Sequence, residues 1–367
     1  MKPLLHNNGG FDLEKKLDIG PLLFLICACC LALGIITGRT PEEGLSEDHG
    51  GSAHYDQDQM RTGWQKLGEN RYYFGENGAP QTGLLEIGGH TYYFETDGAL
   101  RTGWLQWEGK NYYADDEGRI VTGWTEIDGH LHYFESGGAA ASGWVELDGF
   151  THYFHADGSP AQGEEIIGGK IYHFASNGQR LILVNPWNYL PEDYRVELVS
   201  VSDKHQIARI AYADYLDMMA DCAAAGFEPA VCSAYRTQEY QETLYQNRIE
   251  RYIRAGKSEK EATELAGHSV AVPGTSEHQL GLALDIVDDN NWKLDESQAE
   301  MPTQKWLMEN SWRYGWILRY PSEKSEITGI IYEPWHYRYV GKTVAKEIYE
   351  SGLCLEEYLQ SLSNSVG

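Results

Sequence analysis

Between residues 62 and 181, apolar and polar positions recur with a period of 20 residues. The copy TGWQKLGENRYYFGENGAPQ begins at Thr62, and five further copies begin at 82, 102, 122, 142 and 162. Each copy has two short apolar or aromatic runs around a turn such as Asp128-Gly129, which is typical of a β-hairpin. Because one hairpin cannot bury its aromatic face alone, we expect the copies to stack into an all-β solenoid whose last copy is a cap.

The pattern changes after residue 181. Segments 207–225 and 238–255 have the apolar period of amphipathic helices, whereas 229–232 and 282–287 are short apolar runs typical of strands. Helices mixed with short strands predict an α+β domain over 182–367.

An uncharged apolar run, PLLFLICACCLALGIITG, occupies 21–38 and follows Lys15 and Lys16. It is just long enough to span a bilayer, and the positive-inside rule would place 1–20 in the cytoplasm. A cleaved signal peptide is the alternative, and lipidation of Cys29 or Cys30 is another. Since no clear small-x-small cleavage site follows, we expect a single transmembrane helix.

Residues 39–60 are polar, acidic and aperiodic, which predicts a linker. The chain would then be a single-pass membrane protein with repeats at 61–181 and an α+β domain, all outside the cell.

Composition narrows the possible partners. The 367 residues include 42% hydrophobic and 23% charged residues, which is the range of globular proteins. The formal net charge of −26 argues against nucleic acid as a partner, because phosphate binding requires a basic face. Outside the apolar run the cysteines number three, Cys222, Cys232 and Cys354, and none lies in a CxxC motif. They predict no metal site, and their pairing is left open.

Three short segments of the α+β domain contain residues suited to hydrolysis: 276–285 (SEHQLGLALD), 333–336 (EPWH) and 233–237 (SAYRT). Catalytic zinc takes three protein ligands and keeps a fourth position for water. The candidate ligands in these segments are His278, Asp285 and His336.

Two further residues complete a set for amide hydrolysis. Glu333, three residues before His336, is placed to accept a proton from an attacking water. Arg236 offers a fixed cation for a developing oxyanion or a substrate carboxylate. Each residue taken alone is more often a surface or core side chain, and the hypothesis depends on their occurring together.

The spacing resembles that of the VanY-type zinc D-alanyl-D-alanine carboxypeptidases, with the related L,D-carboxypeptidases and D-Ala-D-Ala dipeptidases. Their pattern, SxHxxGxAxD followed by ExWH, is met at every key position. The resemblance implies a small central antiparallel sheet with flanking helices. It also implies zinc on His278, Asp285 and His336, with Glu333 as the base and Arg236 at the scissile carbonyl. Gln241 and Ser276 correspond to the positions that hold the terminal D-alanine.

The repeats resemble the cell-wall-binding repeats of choline-binding proteins, glucan-binding proteins and clostridial toxins. Choline-binding members usually have a second tryptophan just before the Tyr-Tyr-Phe run, and this chain has other residues there, such as Arg71. The departure favours sugar rings or another wall polymer, such as teichoic acid, over choline. Most Tyr and Phe are expected to form the solenoid's own core. Wall binding is predicted for four tryptophans: Trp64, Trp104, Trp124 and Trp144.

Together these features predict a zinc carboxypeptidase that removes D-alanine from peptidoglycan stem peptides, held at the bacterial cell wall by the repeats. Two alternatives stay open: a peptidoglycan endopeptidase, and a non-catalytic wall-binding protein. The sequence does not separate D,D from L,D specificity.

Overall fold

The computed structural model describes residues 46–48, 51–53, 55–56 and 59–363. Its first strands form two short antiparallel pairs within the predicted linker. They are β1 (Ser46–Asp48) with β2 (Gly51–Ala53), and β3 (Tyr55–Asp56) with β4 (Gln59–Met60).

Each of the six 20-residue copies forms one antiparallel β-hairpin, as predicted. At Asp128-Gly129 both turn residues have positive φ, 53° and 79°, which matches the twist of a two-residue hairpin turn. The hairpins are β5 (Gly63–Leu67) with β6 (Asn70–Phe74), β7 (Gly83–Ile87) with β8 (His90–Phe94), β9 (Gly103–Trp107) with β10 (Lys110–Ala114), β11 (Gly123–Ile127) with β12 (His130–Phe134), β13 (Gly143–Leu147) with β14 (Phe150–Phe154), and β15 (Gly163–Ile167) with β16 (Lys170–Phe174).

Successive hairpins stack on one another. Backbone hydrogen bonds link neighbouring copies, for example Leu100 N–H to the Arg71 carbonyl oxygen at 2.7 Å. One buried position recurs in every copy with the period of the sequence, and its side chains form the inner row of the solenoid. This row consists of Phe74, Phe94, Ala114, Phe134, Phe154 and Phe174. The repeat period therefore reflects one buried side chain for each copy, which is aromatic in five of the six copies.

The α+β domain has a four-stranded antiparallel sheet at its centre, as the family resemblance implied. Its strand order is β20 (Pro229–Ser233), β21 (Ala283–Asp288), β23 (His336–Tyr339) and β22 (Trp316–Leu318). Every residue of β21 is buried, which makes this strand the centre of the core.

Helices flank this sheet and a short hairpin accompanies it. The elements are β17 (Arg180–Leu181), which joins the last repeat hairpin, β18 (Leu198–Ser200) with β19 (Gln206–Ala208), α1 (Tyr212–Ala224), α2 (Gln238–Arg254), α3 (Glu259–Ser269), α4 (Pro302–Asn310), α5 (Ser325–Thr328), α6 (Lys342–Ser351) and α7 (Leu355–Ser363), with 3₁₀ turns at Arg209–Ala211, Glu277–Leu280, Glu296–Glu300 and Ser311–Tyr314.

The sixth repeat packs against the α+β domain, so it does not serve as a free cap of the solenoid. The side-chain amide of Gln179 donates to the Val340 carbonyl oxygen at 2.9 Å in a buried position. Ser176 Oγ donates to the Glu347 carboxylate at 2.7 Å, and the Glu164 backbone N–H donates to Ser363 Oγ at 2.9 Å. The repeats and the α+β domain therefore share an interface.

The predicted fold class and localisation included a single transmembrane helix, and this part of the prediction is wrong. Across the residues that the structure describes, no helix has both the length and the apolar character needed to cross a bilayer. The longest, α2, has 17 residues and contains charged side chains such as Glu242 and Arg251. The apolar run 21–38 lies outside the described residues. The fold class is therefore an α+β domain preceded by β-hairpin repeats, and no membrane partner follows from it.

Candidate active site and metal ligands

The central strand β21 places Asp285 between two neighbouring strands. Asp285 lies opposite Ser233 of β20 on one side and opposite His336 of β23 on the other. Sheet register therefore brings together residues from the three segments that the sequence singled out.

His278 reaches the same point from the 3₁₀ turn before β21. Its Nδ1 lies 2.8 Å from the Ala234 carbonyl oxygen, which accepts the Nδ1 proton. This hydrogen bond leaves Nε2, 3.3 Å from Asp285 Oδ2, with a free lone pair. Burial and the charge of Arg236 lower the His278 pKa to about 4, so the ring is neutral at physiological pH.

His336 faces carboxylates on both sides of its ring. Its Nδ1 lies 3.2 Å from Asp285 Oδ1, and its Nε2 lies 3.5 Å from Glu277 Oε2. Burial disfavours a charged ring, but the neighbouring carboxylates of Asp285 and Glu277 outweigh burial and raise the His336 pKa to about 9. This position therefore favours positive charge, which a proton or a metal ion can supply.

The geometry fits a metal ion with three protein ligands. Ligand atoms of His278, Asp285 and His336 all lie within 4.8 Å of one another, and all three residues are buried. Two histidine nitrogens and one carboxylate oxygen are a donor set that zinc accepts. Glu277 Oε2 and His336 Nε2 are buried without a hydrogen-bond partner. His336 Nε2 is therefore available as a hydrogen-bond donor, and such a bond would orient the ring toward a metal.

Glu333 lies beside this cluster. Its Oε2 is 3.6 Å from His336 Nδ1, and 12% of its side chain is exposed. Burial raises the Glu333 pKa to about 7, and Asp285 contributes in the same direction. A carboxyl whose pKa lies near neutrality can both accept and return a proton during turnover.

Arg236 is fixed against the cluster by three side chains. Nη2 donates to Asp285 Oδ2 at 2.8 Å, Nε donates to Ser233 Oγ at 2.9 Å, and Nη1 donates to Gln241 Oε1 at 3.4 Å. Gln241 itself is fully buried and donates to the Ala271 carbonyl oxygen at 2.8 Å. Gln241 therefore contacts Arg236 and does not line the cavity of the site.

A cavity of about 390 Å³ opens onto these residues. Its wall includes the three candidate ligands, Glu333, Arg236 and the predicted substrate residue Ser276. The lining is apolar in part and includes Tyr320 and Trp335. The predicted site residues of the α+β domain, apart from Gln241, thus meet in one pocket.

The four predicted wall-binding tryptophans lie along the solenoid, each edge-on to rings of its own and the next copy. Trp144 lies with its ring centroid 5.0 Å from that of Tyr153 and 4.9 Å from that of Tyr172. In the third and fourth copies the ring from the next copy is a histidine, as with Trp104 and His132.

Exposure differs among these tryptophans. Trp124 and Trp144 are 40% and 43% exposed, whereas Trp64 and Trp104 are half-buried. The Arg71 guanidinium lies 4.5 Å from the centroid of Trp64, so a cation of the chain itself already covers that ring. The exposed pair is therefore better placed than Trp64 for contact with a wall polymer.

Sequence reasoning missed Glu277, although it lies inside the SEHQLGLALD segment. Glu277 is fully buried and accepts from Arg319 Nε at 2.8 Å and from Arg338 Nη1 at 2.7 Å. These arginines lower the Glu277 pKa despite the opposing effect of burial, so the carboxylate stays charged beside His336. A carboxylate next to a candidate ligand in an apolar segment was the available signal.

Comparison with known proteins gives a consistent assignment. Residues 204–342 match the family model described as VanY, D-alanyl-D-alanine carboxypeptidase. Residues 61–101 match a choline-binding repeat, and residues 102–120 and 122–140 match a putative cell wall binding repeat.

Curated relatives match the same part of the chain. A D-alanyl-D-alanine carboxypeptidase of Enterococcus faecalis is 47% identical over 182 residues, which are 49% of this chain and 66% of that protein. The bifunctional D-Ala-D-Ala dipeptidase and carboxypeptidase VanXYC of Enterococcus gallinarum is 35% identical over 39% of this chain and 73% of its own length. The chain thus spans about two thirds or more of the length of these relatives.

Among solved structures, a mutant of the D,D-pentapeptidase VanY from a VanB-type resistance cassette, in complex with Zn(II), is 45% identical. The match covers 48% of this chain and 97% of that chain, with a TM-score of 0.45.

Proposed function

Because the chain belongs to the VanY family of D-alanyl-D-alanine carboxypeptidases, we propose that it removes the C-terminal D-alanine from peptidoglycan stem peptides. Zinc is the cofactor, with His278, Asp285 and His336 as its proposed ligands. The observation that supports the proposal most is the convergence of these ligands with Glu333 in one cavity.

Within this activity we propose D,D specificity, that is, cleavage between two D-alanine residues. The supporting observation is that the relatives from Enterococcus faecalis and Enterococcus gallinarum are both named for activity on D-Ala-D-Ala. Cleavage between an L- and a D-residue is the competing outcome of the test.

The residues of the site divide the work of hydrolysis among them. The chemistry that zinc supplies when bound is Lewis acidity, which polarises a carbonyl and acidifies water. Glu333 accepts the proton of the attacking water and passes it to the leaving amine, so that one carboxyl acts first as base and then as acid. Its pKa of about 7 suits both steps.

Arg236 and Ser276 bind the substrate in this scheme. The Arg236 guanidinium, held by Asp285, Ser233 and Gln241, donates to the oxygen of the scissile carbonyl as negative charge develops there. Ser276 holds the terminal residue of the substrate. Gln241 contributes to substrate binding indirectly, because it fixes Arg236. A braced donor loses little entropy when the transition state forms.

Mass spectrometry of pentapeptide and tetrapeptide stems, with and without a zinc chelator, tests the activity. We expect chelator-sensitive loss of one alanine from the pentapeptide. Loss from the tetrapeptide alone would overturn the D,D assignment, and larger fragments would indicate an endopeptidase instead.

The variant Glu333→Gln tests the role of the base. It should abolish alanine release, because an amide cannot accept the proton, while the zinc affinity stays close to that of the wild type. Release at the wild-type rate by the zinc-loaded variant would remove Glu333 from the mechanism.

We also propose that the repeats hold the enzyme at the cell wall through Trp124 and Trp144. Their supporting observation is the exposure of both rings on a regular array. Weak binding at several equivalent positions raises the local concentration of an immobile substrate. A chain without residues 61–161 that binds isolated walls as tightly as the full chain would contradict this role.

A further inference from the structure

The active-site cavity continues from the candidate metal ligands along one face of α2. Leu244, Arg248 and Arg251 line it, at the spacing of one helical face. Tyr245 and Ile249 of the same helix are buried in the neighbouring core, so the helix is held firmly behind these side chains.

Neither of these arginines has an acidic partner. In the part of the chain that the structure describes, no carboxylate oxygen lies within 4.0 Å of Arg248 or Arg251. Arg248 donates to Ser269 Oγ at 3.0 Å, and Ser269 also lines the cavity. The third arginine of the cavity, Arg236, is already paired with Asp285 at 2.8 Å.

Unpaired arginines are unexpected in this chain. It has 55 acidic and only 29 Lys and Arg residues, so acidic partners are abundant. Arg248 is half-buried and near enough to the catalytic centre for its charge to oppose the burial-driven rise of the Glu333 pKa. A guanidinium held in a cavity without an acidic partner is suited to an anion that arrives with the ligand.

We propose that Arg248, with Arg251 one turn further along α2, forms a carboxylate subsite that selects the substrate. The inference rests on the proposed carboxypeptidase function. A planar guanidinium binds a carboxylate through two parallel hydrogen bonds. The carboxylate belongs to the substrate's C-terminus or to an acidic residue upstream in the stem, and both present the same chemistry.

Three stem peptides distinguish these sources: one with both carboxylates free, one amidated at the C-terminus, and one amidated at the upstream carboxylate. The zinc-loaded full chain is compared with Arg248→Gln and Arg251→Gln. Arg254→Gln is the matched control, because Arg254 lies on the same helix, pairs with Glu250 at 3.9 Å and is exposed outside the cavity. The measurement is kcat/KM for release of the C-terminal residue.

The wild type should lose roughly 10- to 100-fold in kcat/KM on one of the two amidated peptides. On the unmodified peptide, kcat/KM of Arg248→Gln should be lower than that of the wild type by a similar factor. Amidation of the same carboxylate should then lower kcat/KM of the variant little further, because the variant no longer makes the interaction. Arg251→Gln should have a smaller effect in the same direction, and Arg254→Gln none. The amidation that lowers kcat/KM for the wild type but not for Arg248→Gln identifies the carboxylate that the subsite binds.

Two results would overturn the subsite. One is a wild type indifferent to both amidations, and the other is an Arg248→Gln variant impaired equally on all three peptides. If the wild type releases no residue from any peptide, the carboxypeptidase function fails. Calorimetric titration of the same peptides into the zinc-loaded protein then decides the subsite by itself, since the predicted selectivity also applies to binding.

Discussion

At the scale of single residues, Glu277 connects the candidate metal site to a buried charge network. Its carboxylate lies between Arg319, Arg338 and His336, all of which are buried. Metal-bound histidines commonly donate their second ring nitrogen to a carboxylate, which orients the ring and strengthens it as a ligand. Here the carboxylate beside that nitrogen is Glu277: its Oε2 lies 3.5 Å from His336 Nε2, and both atoms are buried without a hydrogen-bond partner among the described residues.

The variant Glu277→Gln should therefore weaken zinc binding by roughly 10- to 100-fold. The amide keeps the shape of the side chain but removes the negative charge facing His336. Competition with a chromogenic chelator measures the affinity independently of turnover.

Glu356→Gln is the matched control for this substitution. Glu356 is the other partner of Arg319, at 2.6 Å, and forms no ion pair with a candidate ligand in the described residues. Both variants leave Arg319 with one acidic partner fewer, which costs stability in each case. Equal zinc affinities for both variants would show that Glu277 has only a structural role.

The motifs of the sequence predicted the site residues, but they did not predict the pairing of the buried residues that support them. His278, Asp285, His336 and Glu333 were predicted together, and they meet in the structure. The hydrogen bonds of Glu277 reach partners 42 and 61 residues away, and no local pattern encodes such a pairing. Gln241, which was predicted to hold substrate, contacts Arg236 and the Ala271 carbonyl oxygen in the structure.

At the scale of secondary structure elements, helix bounds were predictable where a capping residue marks them. The predicted helix over 238–255 is found as α2, whose first turn is capped by the Thr237 side chain. The predicted helix over 207–225 begins later, at Tyr212, and its N-terminus has no side-chain cap. Its first residues instead join β19, because they pair with Leu198–Ser200. That pairing is a local hairpin with residues before the predicted helix, so the helical periodicity of 207–225 alone could not reveal it.

The stacked hairpins make a separate prediction about stability. Phe134 is fully buried in the aromatic row between neighbouring copies. Phe134→Ala should destabilise the repeats by about 3–5 kcal/mol, because it removes a ring from a packed layer and leaves a cavity. Thermal unfolding and hydrogen exchange should locate the loss in the third to fifth copies.

Leu131→Ala is the control for this variant, since Leu131 belongs to the same strand and is 36% exposed. It should change stability by much less than Phe134→Ala, because little buried surface is lost. Similar losses for both would contradict a core made of one recurring buried position.

At the scale of the whole molecule, the sixth repeat belongs to the catalytic domain as much as to the solenoid. The sequence predicted a cap there, because this copy is degenerate and ends the array. The contacts that overturn this interpretation join residues far apart in the chain, such as Gln179 with Val340 across 161 positions. Periodicity reports what a repeat shares with its neighbours, and it contains no information about a partner outside the array.

Two truncated chains separate the contribution of the sixth copy from that of the first five copies. A chain beginning at residue 162 keeps the sixth copy, whereas one beginning at residue 182 removes its contacts with Val340, Glu347 and Ser363. The longer chain should cleave soluble stem peptides with the kcat/KM of the full protein. The shorter one should unfold at lower temperature, because α7 and the end of β23 lose packing and hydrogen bonds. Equal melting temperatures would mean that the interface contributes nothing to stability.

The truncated chain that begins at residue 162 also tests whether the first five repeats matter for an insoluble substrate. It lacks Trp124 and Trp144, so on isolated cell walls we expect its binding to be weaker by roughly 100-fold or more, although its active site is intact. The double variant Trp124→Ala, Trp144→Ala in the full chain should lose part of the same binding without affecting soluble peptides. If both proteins release D-alanine from walls as fast as the wild type, the repeats have a role other than bringing the enzyme to its substrate. A selective loss on walls would instead mean that the solenoid acts through local concentration, because neither change touches the residues that perform the hydrolysis.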